Sequence, residues 1–257
     1  MDDQYILKTL SNAIDVLSLF EHHISLTPKE LEAKSNLNRT NLYRILYTLR
    51  HKGLLEIDSK SGEYKIGMQT INLASLALQR MDIKTICHPF LETLAVELNE
   101  TIHLVVKNQN LATFIDKVES REDINMGSHI GWTAPLYSTA SGKLLISQET
   151  DEVILKYWRE TTHKSYTDHT IRSSERFIEN IKEVRLNGFA SDNEEMVEGL
   201  TCFAVPIKGH SDNIIASISA SGATSRMKKN KEDVLYKLLQ VSNEISKAII
   251  KTPQGIF

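Results

Sequence analysis

The strongest constraint on this chain lies between Ala13 and Gly67, where three short helical patterns are followed by two short strand patterns. Apolar Ala13, Ile14, Leu17 and Phe20 recur at three- and four-residue intervals, which predicts a helix with one buried stripe. His22, His23 and Ser25 interrupt it. Thr27-Pro28-Lys29-Glu30 reads as the next helix start. Thr27 can cap, Pro28 sits where its missing N–H costs nothing, and Glu30 completes a capping box. A polar turn at 34–38 separates this helix from a third, which begins at about Arg39 and turns Leu42, Ile45, Leu46 and Leu49 inward. Gly53 closes it. Residues 54–58 and 63–66 then flank Ser59-Lys60-Ser61-Gly62 as a hairpin with a polar tip.

Three short helices and a hairpin form a winged helix-turn-helix pattern, whose third helix can enter a major groove with its first residues at the base edges. Arg39, Thr40 and Asn41 stand at that end, and Tyr43 and Arg44 follow on the outward faces. Arginine can offer paired donors to guanine, asparagine can pair with adenine, and free helix N–H groups favour a phosphate. Lys60 and Lys65 on the hairpin would position the head on phosphates without reading sequence. Taken singly, each basic residue reads more readily as solvated charge. Tyr43 can pack on the wing, and Arg44 can serve the head's own cohesion.

Charge supports this division only weakly. Residues 1–80 hold 10 basic and 9 acidic side chains, and the remainder 20 and 24, within a net charge of -3. That balance excludes a blanket of positive charge and permits a local basic footprint. Residues 68–78 have apolar positions at helical spacing with no Gly or Pro, as a linker helix would. One winged head touches one half-site, so a homodimer or homotetramer is expected. The first residues resemble no secretory leader, no apolar run reaches membrane-spanning length, and two cysteines suit a reducing compartment. The expected location is cytoplasmic, with no membrane partner.

From Ile83 onward, helical and strand patterns interleave. One helix face follows Pro89, with Phe90, Leu91, Leu94, Ala95 and Leu98. Residues 101–106 and 111–118 read as paired strands, 201–207 and 214–219 as two more. Helices are expected at 140–146, at 174–186 and over a long final stretch carrying Val234 to Ile249. The whole is a multi-domain α/β chain whose C-terminal domain is α+β, built on a mainly antiparallel sheet. The glycine-rich loop around Gly131 and Trp132 could hold an oxyanion on its N–H groups. Asp192, Cys202, Ser219 and Ser221 supply short donors and acceptors on or beside the later strands. Against this, Cys202 also fits a small buried hydrophobe and alternate serines a polar face. His103, Cys202 and Asp192 could be imagined as a nucleophilic set, but no short spacing fixes their geometry. Scattered histidines give no metal spacing. No enzyme activity, catalytic residue, metal or cofactor is expected.

The chain resembles the IclR family of bacterial transcriptional regulators over nearly its whole length. In the head the resemblance rests on residues 9–17, on Asn38-Arg39-Thr40-Asn41-Leu42-Tyr43-Arg44-Ile45-Leu46, on Gly53-Leu54-Leu55 and on Tyr64-Lys65-Ile66-Gly67. Asn12 and Asn41 depart from the usual arginine and threonine. Further on it rests on Pro135-Leu136-Tyr137-Ser138-Thr139-Ala140-Ser141-Gly142-Lys143 and on 166–171. It ends in Gly188-Phe189-Ala190-Ser191-Asp192-Asn193-Glu194-Glu195 and Gly199-Leu200-Thr201-Cys202-Phe203-Ala204-Val205-Pro206. The resemblance implies a GAF-like effector-binding domain. It also implies ligand contacts at Asp192, Cys202, Ser219 and Ser221, with backbone N–H groups near Gly131 and Trp132. The expected divisions are 5–67 for the DNA-binding head, 68–81 for the linker helix, and 82–257 for effector binding and oligomerisation. The implied activity is that of a sequence-specific, ligand-responsive regulator. Its partners are double-stranded operator DNA and a small organic acid, and it acts as a repressor controlled by a carboxylate metabolite. The alternatives are activation of a catabolic operon and a sensor acting through protein contacts.

Overall fold

The first helices are set by their caps. In the computed structural model, which describes residues 5–79, 82–120 and 127–251, α1 (Lys8–Ser18) ends in a 3-10 turn, Leu19–His22. Helix α2 (Pro28–Lys34) opens on the capping box expected of Thr27 and Glu30, with Pro28 in its first turn. Helix α3 (Arg39–His51) is capped by Asn38, whose side chain accepts the Asn41 N–H at 2.9 Å. Strands β1 (Leu55–Ile57) and β2 (Tyr64–Ile66) pair antiparallel and place Lys65 opposite Glu56. At the hairpin tip, the Asp58 carboxylate accepts from the backbone N–H groups of Lys60 and Ser61. Tyr64 bridges to Leu26, which ties the wing to the residues ahead of α2. Val16, Phe20, Leu31, Leu42, Ile45, Leu46, Leu49 and Leu55 form one core with them. Helix α4 (Met68–Gln79) follows, with Met68, Ile71, Leu73 and Leu76 exposed. Contacts divide the chain into two units, residues 1–80 and 81–257. Residues 80 and 81 of the expected linker, and 121–126 and 252–257 of the expected body, lie outside the described residues.

In the second unit, α5 (Asp82–Leu98) begins well before the position expected from Pro89 and runs through it. An interior proline costs a helix about 3 kcal/mol. Ile83 and Cys87 ahead of it, and Leu91 and Leu94 behind, are all fully buried. Each large apolar side chain contributes roughly 1.5–3 kcal/mol on burial, so the packing outweighs the lost bond. Strands β3 (Thr101–Asn108), β4 (Leu111–Val118), β5 (Thr133–Pro135), β6 (Ala190–Asn193), β7 (Leu200–Lys208) and β8 (Ile214–Ala223) form one sheet. Its order is β5-β4-β3-β8-β7-β6, with every pairing antiparallel.

Alternation along these strands sorts the two faces. Ile102, Leu104, Phe203, Val205, Ile218 and Ala220 face α5, α9 (Thr224–Lys229) and α10 (Lys231–Lys251) in an apolar core. The intervening residues face α6 (Ala140–Ile146), behind which pack α7 (Asp151–Glu160) and α8 (Ser174–Asn187). Every residue of α6 is buried. It lies so close to the preceding turn that a Cβ on Gly142 would sit 2.6 Å from Leu136 Cα. Among the described residues, no helix is long and apolar enough to cross a membrane.

Candidate functional site

On the head, α3 divides its residues cleanly. Leu42, Ile45, Leu46 and Leu49 are buried, while Arg39, Thr40, Asn41, Tyr43, Arg44, Tyr47, Thr48 and Arg50 are exposed. Arg39 stacks its guanidinium over Tyr43 at 5.6 Å, which aligns the two side chains at the helix start. Neither Arg39 nor Arg44 forms an ion pair among the described residues, so both charges are available to an anionic surface. Tyr47 is 71% exposed and stacks on His51. Nothing in the sequence distinguishes Tyr47 as a contact. Lys60 at the wing tip and Lys65 on β2 are both exposed.

The second site is a row of polar side chains across the α6 face of the sheet. Register places Asp192 opposite Cys202, Cys202 opposite Ser221, and Ser221 opposite Thr101. The next row on the same face runs Ala190, Ala204, Ser219, His103 and Lys117. Asp192, Cys202, Ser219 and Ser221 are therefore brought together on three neighbouring strands, all of them buried. The Ser221 hydroxyl donates to Cys202 Sγ at 3.1 Å, and the Glu195 N–H donates to Asp192 Oδ1 at 2.7 Å. Gly131 and Trp132 stand differently from expectation. The Gly131 N–H donates to Phe114 O and the Trp132 N–H to His129 O, so both amides are engaged within the protein. What Trp132 brings to this face is its ring, which lies 4.7 Å from that of Phe114.

Sequence reasoning did not single out several groups that the fold adds here. Lys143 on α6 is fully buried and donates from Nζ to Glu195 Oε1 at 2.5 Å. Glu195 Oε2 has no hydrogen-bond partner among the described residues. Ser217 donates to Ser141 at 3.2 Å, which ties the sheet to α6. Burial, reinforced by the Glu195 charge and opposed by Lys143, pushes the Asp192 carboxyl up to about 7. Near neutrality it is protonated in part and can donate as well as accept. Burial and the neighbouring Asp192 charge also raise the Cys202 thiol, which makes it a poor nucleophile. No group of histidine, cysteine or acidic residues among those described could hold a metal ion.

Comparison with known proteins decides the family. The IclR helix-turn-helix domain matches residues 9–59, and the bacterial transcriptional regulator IclR C-terminal domain matches 75–247. The chain belongs to the IclR family. HTH-type transcriptional regulator KdgR of Dickeya chrysanthemi is 31% identical over 88% of this chain and 74% of its own length. HTH-type transcriptional repressor AllR of Salmonella typhimurium is 26% identical over 87% of this chain and 83% of its own. Among solved structures, an IclR homolog from Microbacterium hydrocarbonoxydans complexed with 4-hydroxybenzoate shares the fold. Its TM-score is 0.81 at 18% identity, covering 94% of this chain and 98% of that one. The protein is thus a DNA-binding transcriptional regulator with an effector-binding domain.

Proposed function

We propose that this IclR-family regulator is a repressor whose second unit binds a small carboxylate, and whose operator affinity falls when that site fills. The observation that carries the effector reading is the buried polar row Asp192, Cys202 and Ser221, with Ser219 beside it, in a sheet face otherwise available for apolar packing. A buried polar group without purpose is costly, and four in one place suit a ligand. A protonated Asp192 donates to the incoming carboxylate, the serine hydroxyls donate alongside it, and Lys143 supplies the nearest positive charge. Trp132 and Phe114 form a wall for the carbon body.

DNA is read by the start of α3, through Arg39, Thr40, Asn41, Tyr43 and Arg44, with Lys60 and Lys65 on phosphates. Uncompensated arginines beside free helix N–H groups support this assignment. Specific binding needs two heads, so the working form is a homodimer or a pair of dimers. The exposed apolar residues of α4 favour association. A relative named as a repressor supports the sign of regulation. Fluorescence anisotropy on the DNA upstream of the protein's own gene tests the reading, with small acids added and 4-hydroxybenzoate first. Loss of binding on acid addition is expected. Tighter binding would make the protein an activator or co-repressed regulator instead.

A further inference from the structure

The same sheet face carries a buried imidazole with an unfilled hydrogen-bonding position. His103 on β3 is 1% exposed and stands directly opposite Ser219 of β8. Its Nε2 lies 2.9 Å from Ser128 Oγ, in the segment leading to β5. Its ring meets Phe114 edge-on, with centroids 5.1 Å apart and planes at 88°. Its Nδ1 has no hydrogen-bond partner among the described residues.

A neutral imidazole offers one donor and one acceptor. Burial, with the Lys117 charge adding to it, drives the His103 pKa down to about 3, so the ring is neutral in any ordinary buffer. The Ser128 hydroxyl can donate or accept, so it satisfies Nε2 in either tautomer and leaves the complementary role to Nδ1. A phenylalanine or leucine would fill this space against Phe114 without leaving a polar atom unmet. Lys117, the adjacent cation on this face, is already bonded to Ser128 O at 2.7 Å and to Glu119 at 2.8 Å.

We propose that His103 is a specificity-determining residue of the effector site, its Nδ1 bonding a neutral hydroxyl or carbonyl oxygen on the body of the acid. This rests on the carboxylate reading above. Adjacent strands lie about 4.8 Å apart, so a group held at Ser219 leaves His103 one strand spacing away. The effector class is accordingly a hydroxy- or oxo-substituted carboxylic acid, its carbon body against Phe114 and Trp132. A second carboxylate is a poorer match, because a neutral buried ring brings no charge to balance it.

Calorimetry on the full chain at pH 7 tests this with matched acids: benzoate against its 3- and 4-hydroxy forms, and propanoate against its 2- and 3-hydroxy forms. At least one hydroxylated acid should bind about tenfold or more tighter than its parent, the scale of one buried hydrogen bond. His103→Phe should abolish that preference and leave the parent acid's affinity unchanged, while His103→Gln, which can still bond, should retain part of it. His103→Leu substitutes if the phenylalanine variant does not fold. Asp192→Ala should weaken both members of a pair equally. If acids bind with no preference, if the preference survives in folded His103→Phe, or if both members weaken alike there, the role of His103 is overturned and the carboxylate reading stands. If no acid binds, both are overturned.

Discussion

Replacing Asp192 by asparagine should remove a pH dependence of stability that the buried carboxyl imposes. In the unfolded chain this group titrates near 3.8, and in the folded protein near 7. Between those values the folded state holds a proton that the unfolded state has lost. Stability therefore falls as pH rises, by about 1.4 kcal/mol per unit. The total is about 4 kcal/mol, reached by roughly pH 8, a large fraction of the 5–15 kcal/mol typical of a folded domain. Asp192 is 2% exposed, so solvent screening reduces this little. Asparagine keeps a carbonyl oxygen to accept the Glu195 N–H and does not titrate. The depressed carboxylates elsewhere, such as Asp58 and Asp151, destabilise both proteins only in acid and cancel in the difference. Urea unfolding of both proteins from pH 5 to pH 8.5, followed by circular dichroism, measures the gap. The variant should gain on the native protein by about 3 kcal/mol over that interval. A gap that stays constant would refute the account of Asp192 as a carboxyl protonated near neutrality.

Four further outcomes follow from named contacts. Affinity for a bound carboxylate should be level below pH 7 and fall by up to about tenfold per unit above it, as Asp192 must regain its proton; calorimetry in matched buffers reads this. Lys143→Ala leaves Glu195 buried and unpaired and should cost about 3–5 kcal/mol in chemical denaturation; adding Glu195→Gln to that variant should restore part of the loss. Gly142→Ala forces a methyl group against the Leu136 backbone and should cost about 1–3 kcal/mol, or prevent folding of the second unit. Arg39→Ala and Arg44→Ala should each weaken DNA binding and lower the slope of log affinity against log salt by about one, without changing acid binding.

Much of the head was legible because its signals are local. The capping box at Thr27 and Glu30, the inward stripe of α3 and the polar tip at 59–62 all act over a few residues. The second unit was legible in part. Strands β5 and β6 carry no alternating apolar signal, since Thr133-Ala134-Pro135 and Ala190-Ser191-Asp192-Asn193 are edge strands held by one neighbour each. No helix is expected from the sequence at α7, and Pro89 reads locally as a helix start although α5 begins at Asp82. The site follows the same division. The resemblance implies Asp192, Cys202, Ser219 and Ser221, but their alignment needs the register of three strands. Lys143 lay inside a recognised motif, yet its meeting with Glu195 spans 52 positions. The sequence leaves His103, Cys202 and Asp192 open as a nucleophilic set. The fold places His103 on the same face but three strands from Asp192, which rules that set out.

The most direct test is operator affinity of the full chain measured while an acid already shown by calorimetry to bind is titrated in. Linkage requires that an effector binding the two states unequally shift DNA affinity by the same factor that DNA shifts its own. The shift should be present in the native protein and absent in Asp192→Ala, whose affinity without acid should match the native value. An acid that occupies the site and leaves operator affinity unmoved would contradict the account.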